Sequence, residues 1–134
     1  MHVSFTSKVV GLMPSVLVVD DEPGLLRLFT ELVARLGVDT LPASGGTQAI
    51  EILRTQTPDL LILDLAMPEV SGQDVLEYAR SQPHLDGMKV MILTARPYMV
   101  AEVEALGVDS WVSKPVMPSD FMDYVSAMLD GVNY

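Results

Sequence analysis

Thr57-Pro58-Asp59-Leu60-Leu61-Ile62-Leu63-Asp64-Leu65-Ala66-Met67-Pro68 is the stretch whose reading decides the fold. Four apolar residues, Leu60 to Leu63, run into one acid, Asp64. A short apolar run bounded by prolines reads as a strand buried on both faces. Asp64 then stands where the strand leaves the core. In open parallel sheets, ligand chemistry gathers at the carboxyl ends of strands. A lone acid there also has a bland reading, as the cap of the next helix.

The flanking chain repeats the pattern. Val16-Leu17-Val18-Val19 is a first buried strand ending on Asp20-Asp21-Glu22. Pro23 opens a helix with Leu25, Phe29, Leu32, Val33 and Leu36 at helical spacing, and Gly37 stops it. Val38 to Ala43 is a weaker second strand, and Thr47 to Thr55 a second helix. After the central strand and the loop Met67 to Gly72, a third helix runs from about Gln73 to Ser81. Val90-Met91-Ile92-Leu93 is a fourth strand ending on Thr94, followed by a helix from about Tyr98 to Leu106. Ser110-Trp111-Val112-Ser113 is a fifth strand ending on Lys114-Pro115, and Pro118 opens a last helix with Phe121, Val125, Met128 and Leu129 inward. Such alternation predicts an α/β, doubly wound, five-stranded parallel sheet with helices on both faces. The expected strand order is 2-1-3-4-5, with the switch point between strands one and three.

The 134 residues suit one domain, and 49% hydrophobic content suffices for its core. Residues 15–131 are assigned to that domain, residues 1–14 to a loose extension, and no output domain is expected in the chain. Eighteen acids against eight bases give a formal charge of -10. That balance speaks against direct nucleic-acid binding, which needs clustered Lys and Arg. The absence of cysteine excludes disulfides and thiolate metal sites and fits a reducing, cytoplasmic compartment. Val9 to Val19 is too short to span a bilayer, which takes ~20 residues. No small-residue cleavage site follows it, so it is not read as a signal peptide. His2 and His84 are read as bystanders, His84 as a solvated loop residue.

The strand ends carry the chemistry. Asp20 and Asp21, Asp64, Thr94 and Lys114 close strands one, three, four and five. Converging carboxylates repel one another unless a cation neutralises them. Oxygen donors without His or Cys favour Mg²⁺. Lys114 can meet an anion as a point charge, and Thr94 can donate a hydrogen bond to it. A carboxylate nucleophile, a Mg²⁺ and an ammonium facing one oxygen-rich group describe phosphoryl transfer onto an aspartate.

These residues sit in motifs that resemble a known family, the CheY-like receiver domains of two-component response regulators. Its marks here are Val19-Asp20-Asp21-Glu22-Pro23, Asp64 to Gly72, Leu93-Thr94-Ala95 and Ala105 to Pro115. The resemblance implies that Asp64 is the phosphoacceptor and that Asp21, Asp64 and the backbone carbonyl of Ala66 bind Mg²⁺ directly. Asp20 would hold the metal through water, and Thr94 and Lys114 would contact the phosphoryl group. The Lys114–Pro115 peptide would be cis. The donor would be a phosphohistidine on a sensor histidine kinase or a histidine phosphotransfer protein. Thr94 would be drawn inward and Trp111, at the position of the switch aromatic, would turn in. The face made by the fourth helix, fifth strand and last helix would then change for a downstream protein, a fused output domain or a second copy of the chain.

Several features depart from the usual pattern. Tryptophan is larger than the common Tyr or Phe at position 111. The interval from Thr94 to Lys114 is about two residues short, which predicts a trimmed fourth helix or a trimmed loop before it. Ala66 and Arg96 occupy the positions that tune phosphate loss: Ala66 cannot hold a water, and Arg96 would shield the phosphoryl group or pair with it, which predicts slow loss of phosphate. The competing readings are an aspartyl-phosphate hydrolase, a flavodoxin-like carrier and a phosphorylation-independent interaction module. The first lacks a second acid at position 66. The second would set a phosphate against Asp20 and Asp21. The third leaves the five polar residues without a purpose.

Overall fold

The structure, a computed structural model, describes residues 13–130. The expected extension therefore lies outside the described residues except for Met13 and Pro14, as does residue 131. Five strands form one parallel sheet: β1 (Ser15–Val19), β2 (Asp39–Ala43), β3 (Leu60–Leu63), β4 (Lys89–Thr94) and β5 (Ser110–Ser113). Their order is β2-β1-β3-β4-β5, the order that the strand and helix alternation predicts. Four α-helices connect or follow them: α1 (Pro23–Ala34), α2 (Gly46–Thr55), α3 (Gly72–Arg80) and α4 (Pro118–Asp130).

Side chains alternate across a strand, so each buried strand feeds two cores. Leu17, Val19, Leu61 and Leu63 face α2 and α3, where Leu53, Leu76 and Ala79 pack. Val16, Val18, Leu60 and Ile62 face α1 and α4. On that side the rings of Phe29 and Phe121 meet with centroids 4.7 Å apart. All four residues of β3 are buried, as a central parallel strand requires.

Two acids close the end of the sheet opposite Asp64. Asp59 accepts a hydrogen bond from the Ser15 N–H at 2.8 Å. Asp109 accepts one from the Val90 N–H, also at 2.8 Å. Each satisfies a strand-start amide that the ladder leaves unpaired. His84 does more than the solvated residue that sequence predicts: its Nε2 lies 2.8 Å from the Leu53 carbonyl oxygen and ties its loop to the end of α2.

The helix expected from Tyr98 to Leu106 is absent. Two 3₁₀ turns, Pro97–Glu102 and Glu104–Leu106, replace it. A 3₁₀ turn rises ~2.0 Å per residue against ~1.5 Å for an α-helix, so a trimmed connection still spans the return from β4 to β5. Val100, Val103 and Leu106, spaced by three across the two turns and the residue that joins them, all pack into the first core. Arg80 fastens the far end. Its guanidinium donates to the carbonyls of Leu106 at 2.8 Å, Gly107 at 2.7 Å and Met88 at 3.3 Å.

Replacing Arg80 by Met removes this clamp and leaves those carbonyls to water. The amides of residues 97–107 should exchange with solvent faster while those of β1 and β3 stay protected. Global stability should fall by about 1–3 kcal/mol in urea unfolding, because charge-assisted hydrogen bonds are lost. Unchanged exchange over 97–107 would mean that core packing alone holds the segment.

Candidate functional site

Asp20 leaves β1 buried, at 2% exposure. Its Oδ1 accepts from the Glu22 N–H at 2.9 Å, a local turn bond that fixes the carboxylate. Glu22 itself turns away. Its carboxylate accepts from the N–H groups of Gly24 at 3.1 Å and Leu25 at 2.9 Å and so caps α1. Of the acids that follow β1, Asp20 and Asp21 thus remain for the site, and Asp21 is the exposed one.

Asp64 is 6% exposed. Its N–H donates to the Val19 carbonyl at 3.1 Å, and its Oδ1 accepts from the Ala66 N–H at 3.2 Å. The start of α3 presses on it from behind. A Cβ on Gly72 would stand 2.3 Å from the Asp64 carbonyl oxygen and 2.6 Å from the Leu65 Cα, so only glycine lets helix and strand end meet this closely. The adjacent Ser71 and Asp74 form a reciprocal capping box that holds the helix start in place.

Thr94 ends β4 fully buried, and its Oγ1 accepts from the Arg96 N–H at 3.0 Å. Lys114 follows β5, with its N–H bonded to the Thr94 carbonyl at 2.8 Å. The Lys114–Pro115 peptide is cis, as the resemblance implies. Lys114 Nζ donates to Asp20 Oδ2 at 2.6 Å and lies 3.6 Å from Asp64 Oδ2.

The structure thus brings Asp20, Asp21, Asp64, Thr94 and Lys114 to one rim. Carboxylate oxygens of the three acids lie within 4.8 Å of one another. Burial pushes the Asp64 carboxyl above its ordinary value; the Lys114 ammonium pulls it down, Asp20 pushes it up, the Ala66 N–H pulls it down and Asp21 pushes it up. Hard oxygen donors gathered this closely can hold a divalent cation, and the lysine ammonium already supplies part of the positive charge they call for.

The remaining candidates lie around this rim. Ala66 and Arg96 share the wall of a cavity of about 430 Å³ with Leu65, Met67 and Met99. Trp111 is outside the acid cluster. It is 49% exposed and stands opposite Ile92 in the strand register. Sequence reasoning missed the roles of Glu22 and Gly72. Glu22 directly before Pro23 was the available sign of a helix cap, whereas nothing in the loop Met67 to Gly72 marks the glycine as a contact point.

The sequence model of the response regulator receiver domain matches residues 16–126. The chain belongs to that family. This receiver domain is 36% identical over 116 residues to the DNA-binding response regulator MtrA of Mycolicibacterium smegmatis, a match that covers 85% of this chain and 50% of that protein. The chain therefore spans about half the length of the DNA-binding relatives it matches. It is 29% identical over 118 residues to the polar-differentiation response regulator DivK of Brucella anthropi, covering 86% of this chain and 95% of that one. The response regulator TrrA of Thermotoga maritima, solved in complex with Mg²⁺ and BeF, superposes with a TM-score of 0.76 at 28% identity, over 87% of this chain and 99% of that one. Receiver domains are signalling domains that work with histidine kinases and output partners. No helix among the described residues is long and apolar enough to cross a membrane.

Two outcomes follow from the geometry. The folded state holds the Asp64 proton more tightly than the unfolded chain does, so stability falls as pH rises through the interval between the two values. Above that interval the full cost is present. Without divalent cation, Asp64→Asn should therefore melt above the parent at neutral pH, and the gap should narrow as pH falls, measured by thermal denaturation across a pH series. Gly72→Ala should lose about 1–3 kcal/mol in urea unfolding, since a methyl group would overlap the Asp64 backbone.

Proposed function

We propose that this receiver domain takes a phosphoryl group onto Asp64 from a phosphohistidine of a sensor histidine kinase or a histidine phosphotransfer protein. What supports the reading above all is the meeting of Asp20, Asp21, Asp64, Thr94 and Lys114 at the ends of four strands of one sheet. A carboxylate oxygen of Asp64 attacks phosphorus, the N–P bond breaks, and its electron pair stays with the imidazole of the donor. Lys114 neutralises charge on the phosphoryl oxygens. The Thr94 oxygen accepts from the Arg96 N–H, which leaves its own proton free to donate to the same group.

Asp21, Asp64 and the Ala66 carbonyl would hold Mg²⁺ directly, and Asp20 would hold it through water. When bound, Mg²⁺ offsets the charge of the acids and of the incoming phosphoryl group. The chemistry is a self-modification and its reversal, not turnover of a substrate pool, and it takes place in the cytoplasm. Once phosphate is in place, Thr94 moves toward it and Trp111 turns into the space behind. The surface of residues 97–106, β5 and α4 then changes for a downstream protein or a fused output domain. Ala66 and Arg96 flank the phosphate: the methyl group cannot hold an attacking water, and the guanidinium shields the phosphoryl oxygens, so the phosphate leaves slowly.

Incubation with Mg²⁺ and a small-molecule phosphodonor should add one phosphoryl group to the intact mass of the parent and none to Asp64→Asn. The same added phosphoryl mass on both proteins would reject Asp64 as acceptor. The phosphorylated parent should also outlive a doubly substituted Ala66→Asn, Arg96→Glu protein by about tenfold or more, a barrier difference of ~1.4 kcal/mol. Equal half-lives would remove Ala66 and Arg96 from control of the lifetime.

A further inference from the structure

The sheet has two edges, and they differ. β2 carries Pro42, a residue that blocks strand addition. β5, Ser110-Trp111-Val112-Ser113, carries no proline and no charge, and among the described residues only β4 pairs with it. Alternate N–H and C=O groups on its open side therefore lack a strand partner. Beside that edge runs a groove of about 630 Å³ lined by all of β5, by Met117 just before α4, and by Asp120 and Tyr124 in the first half of α4. Trp111, Met117 and Tyr124 are 49%, 66% and 47% exposed, so half of the six large apolar side chains exposed among the described residues share this groove. An apolar patch so concentrated marks an interaction surface.

Charge identifies the occupant. After Arg96 the chain has a single cation, Lys114, which is held in the acid cluster, against Glu102, Glu104, Asp109, Asp120, Asp123 and Asp130. Glu102, Glu104, Asp120 and Asp123 are exposed on the elements that flank β5. A second copy would bring the same acids to the same edge and be repelled. We infer that the β5 edge takes an extended, cationic segment of a partner protein, which pairs with β5 as an added strand. Its bulky apolar side chains seat on Trp111, Met117 and Tyr124, and its lysines or arginines meet Asp120 and Asp123. The inference concerns the output surface of the reading above but needs no phosphorylation, so the two fail separately.

The test uses the whole unphosphorylated chain, without phosphodonor. A short peptide alternating lysine with valine is titrated in, then its glutamate counterpart. Trp111 is the protein's single tryptophan, so its emission reports the groove. The basic peptide should shift that emission saturably, weaken with salt and slow amide exchange across residues 110–113. The acidic peptide should do none of these. A double Asp120→Lys, Asp123→Lys variant should bind the basic peptide at least about tenfold more weakly. An equal response to both peptides would overturn the inference, as would an emission shift without amide protection. A dimer in sedimentation that Trp111→Lys dissolves would overturn it too, by giving the edge to a second copy.

Discussion

Everything at the top of this sheet answers to the crowding of three carboxylates. The switch point sets the ends of β1 and β3 side by side, so Asp20, Asp21 and Asp64 meet without any loop having to reach. Burial removes the water that would otherwise screen Asp20 and Asp64. Lys114 arrives from the far strand and binds Asp20 at 2.6 Å, while Glu22 is diverted to cap α1 and adds nothing to the repulsion. The site is thus held in a charged state that its own neighbours only partly balance. That residual negative charge is what suits the cluster to a divalent cation.

The same residue type does opposite work at the two ends of the sheet. Asp59 and Asp109 each take a backbone N–H and close a strand start. Asp20 and Asp64 also take a backbone N–H each, yet keep an oxygen turned toward Lys114 and toward one another. Position along the strand decides the role. One end of the sheet is fastened and the other is left poised, which is how a parallel sheet separates stability from chemistry.

Much of this was legible in the chain itself. Apolar runs such as Val16 to Val19 and Leu60 to Leu63 have little choice but to become buried strands, and alternation with helices leaves few topologies. The acids at their ends then fall together by geometry. The stretch after Pro97 was harder, because an amphipathic pattern spaced by three resembles one spaced by three and four over so few residues. There the number of residues available for the return to β5 decided the outcome, together with the Arg80 clamp from α3, which no local reading supplies. Gly72 shows the same limit. Its necessity comes from the carbonyl of Asp64, eight positions back, and only packing reveals it.

The ion pair between Lys114 and Asp20 joins residues 94 positions apart. Contacts of such separation form late, because a long loop must close before they contribute. During synthesis the acids of β1 and β3 emerge well before the lysine that balances them. A nascent chain that has not reached β5 therefore meets the repulsion of Asp20, Asp21 and Asp64 without its internal counter-charge. The last strand brings both a sheet edge and that counter-charge, so completing the sheet and completing the site are a single event. A half-made receiver is disfavoured by the same electrostatics that equip the finished one.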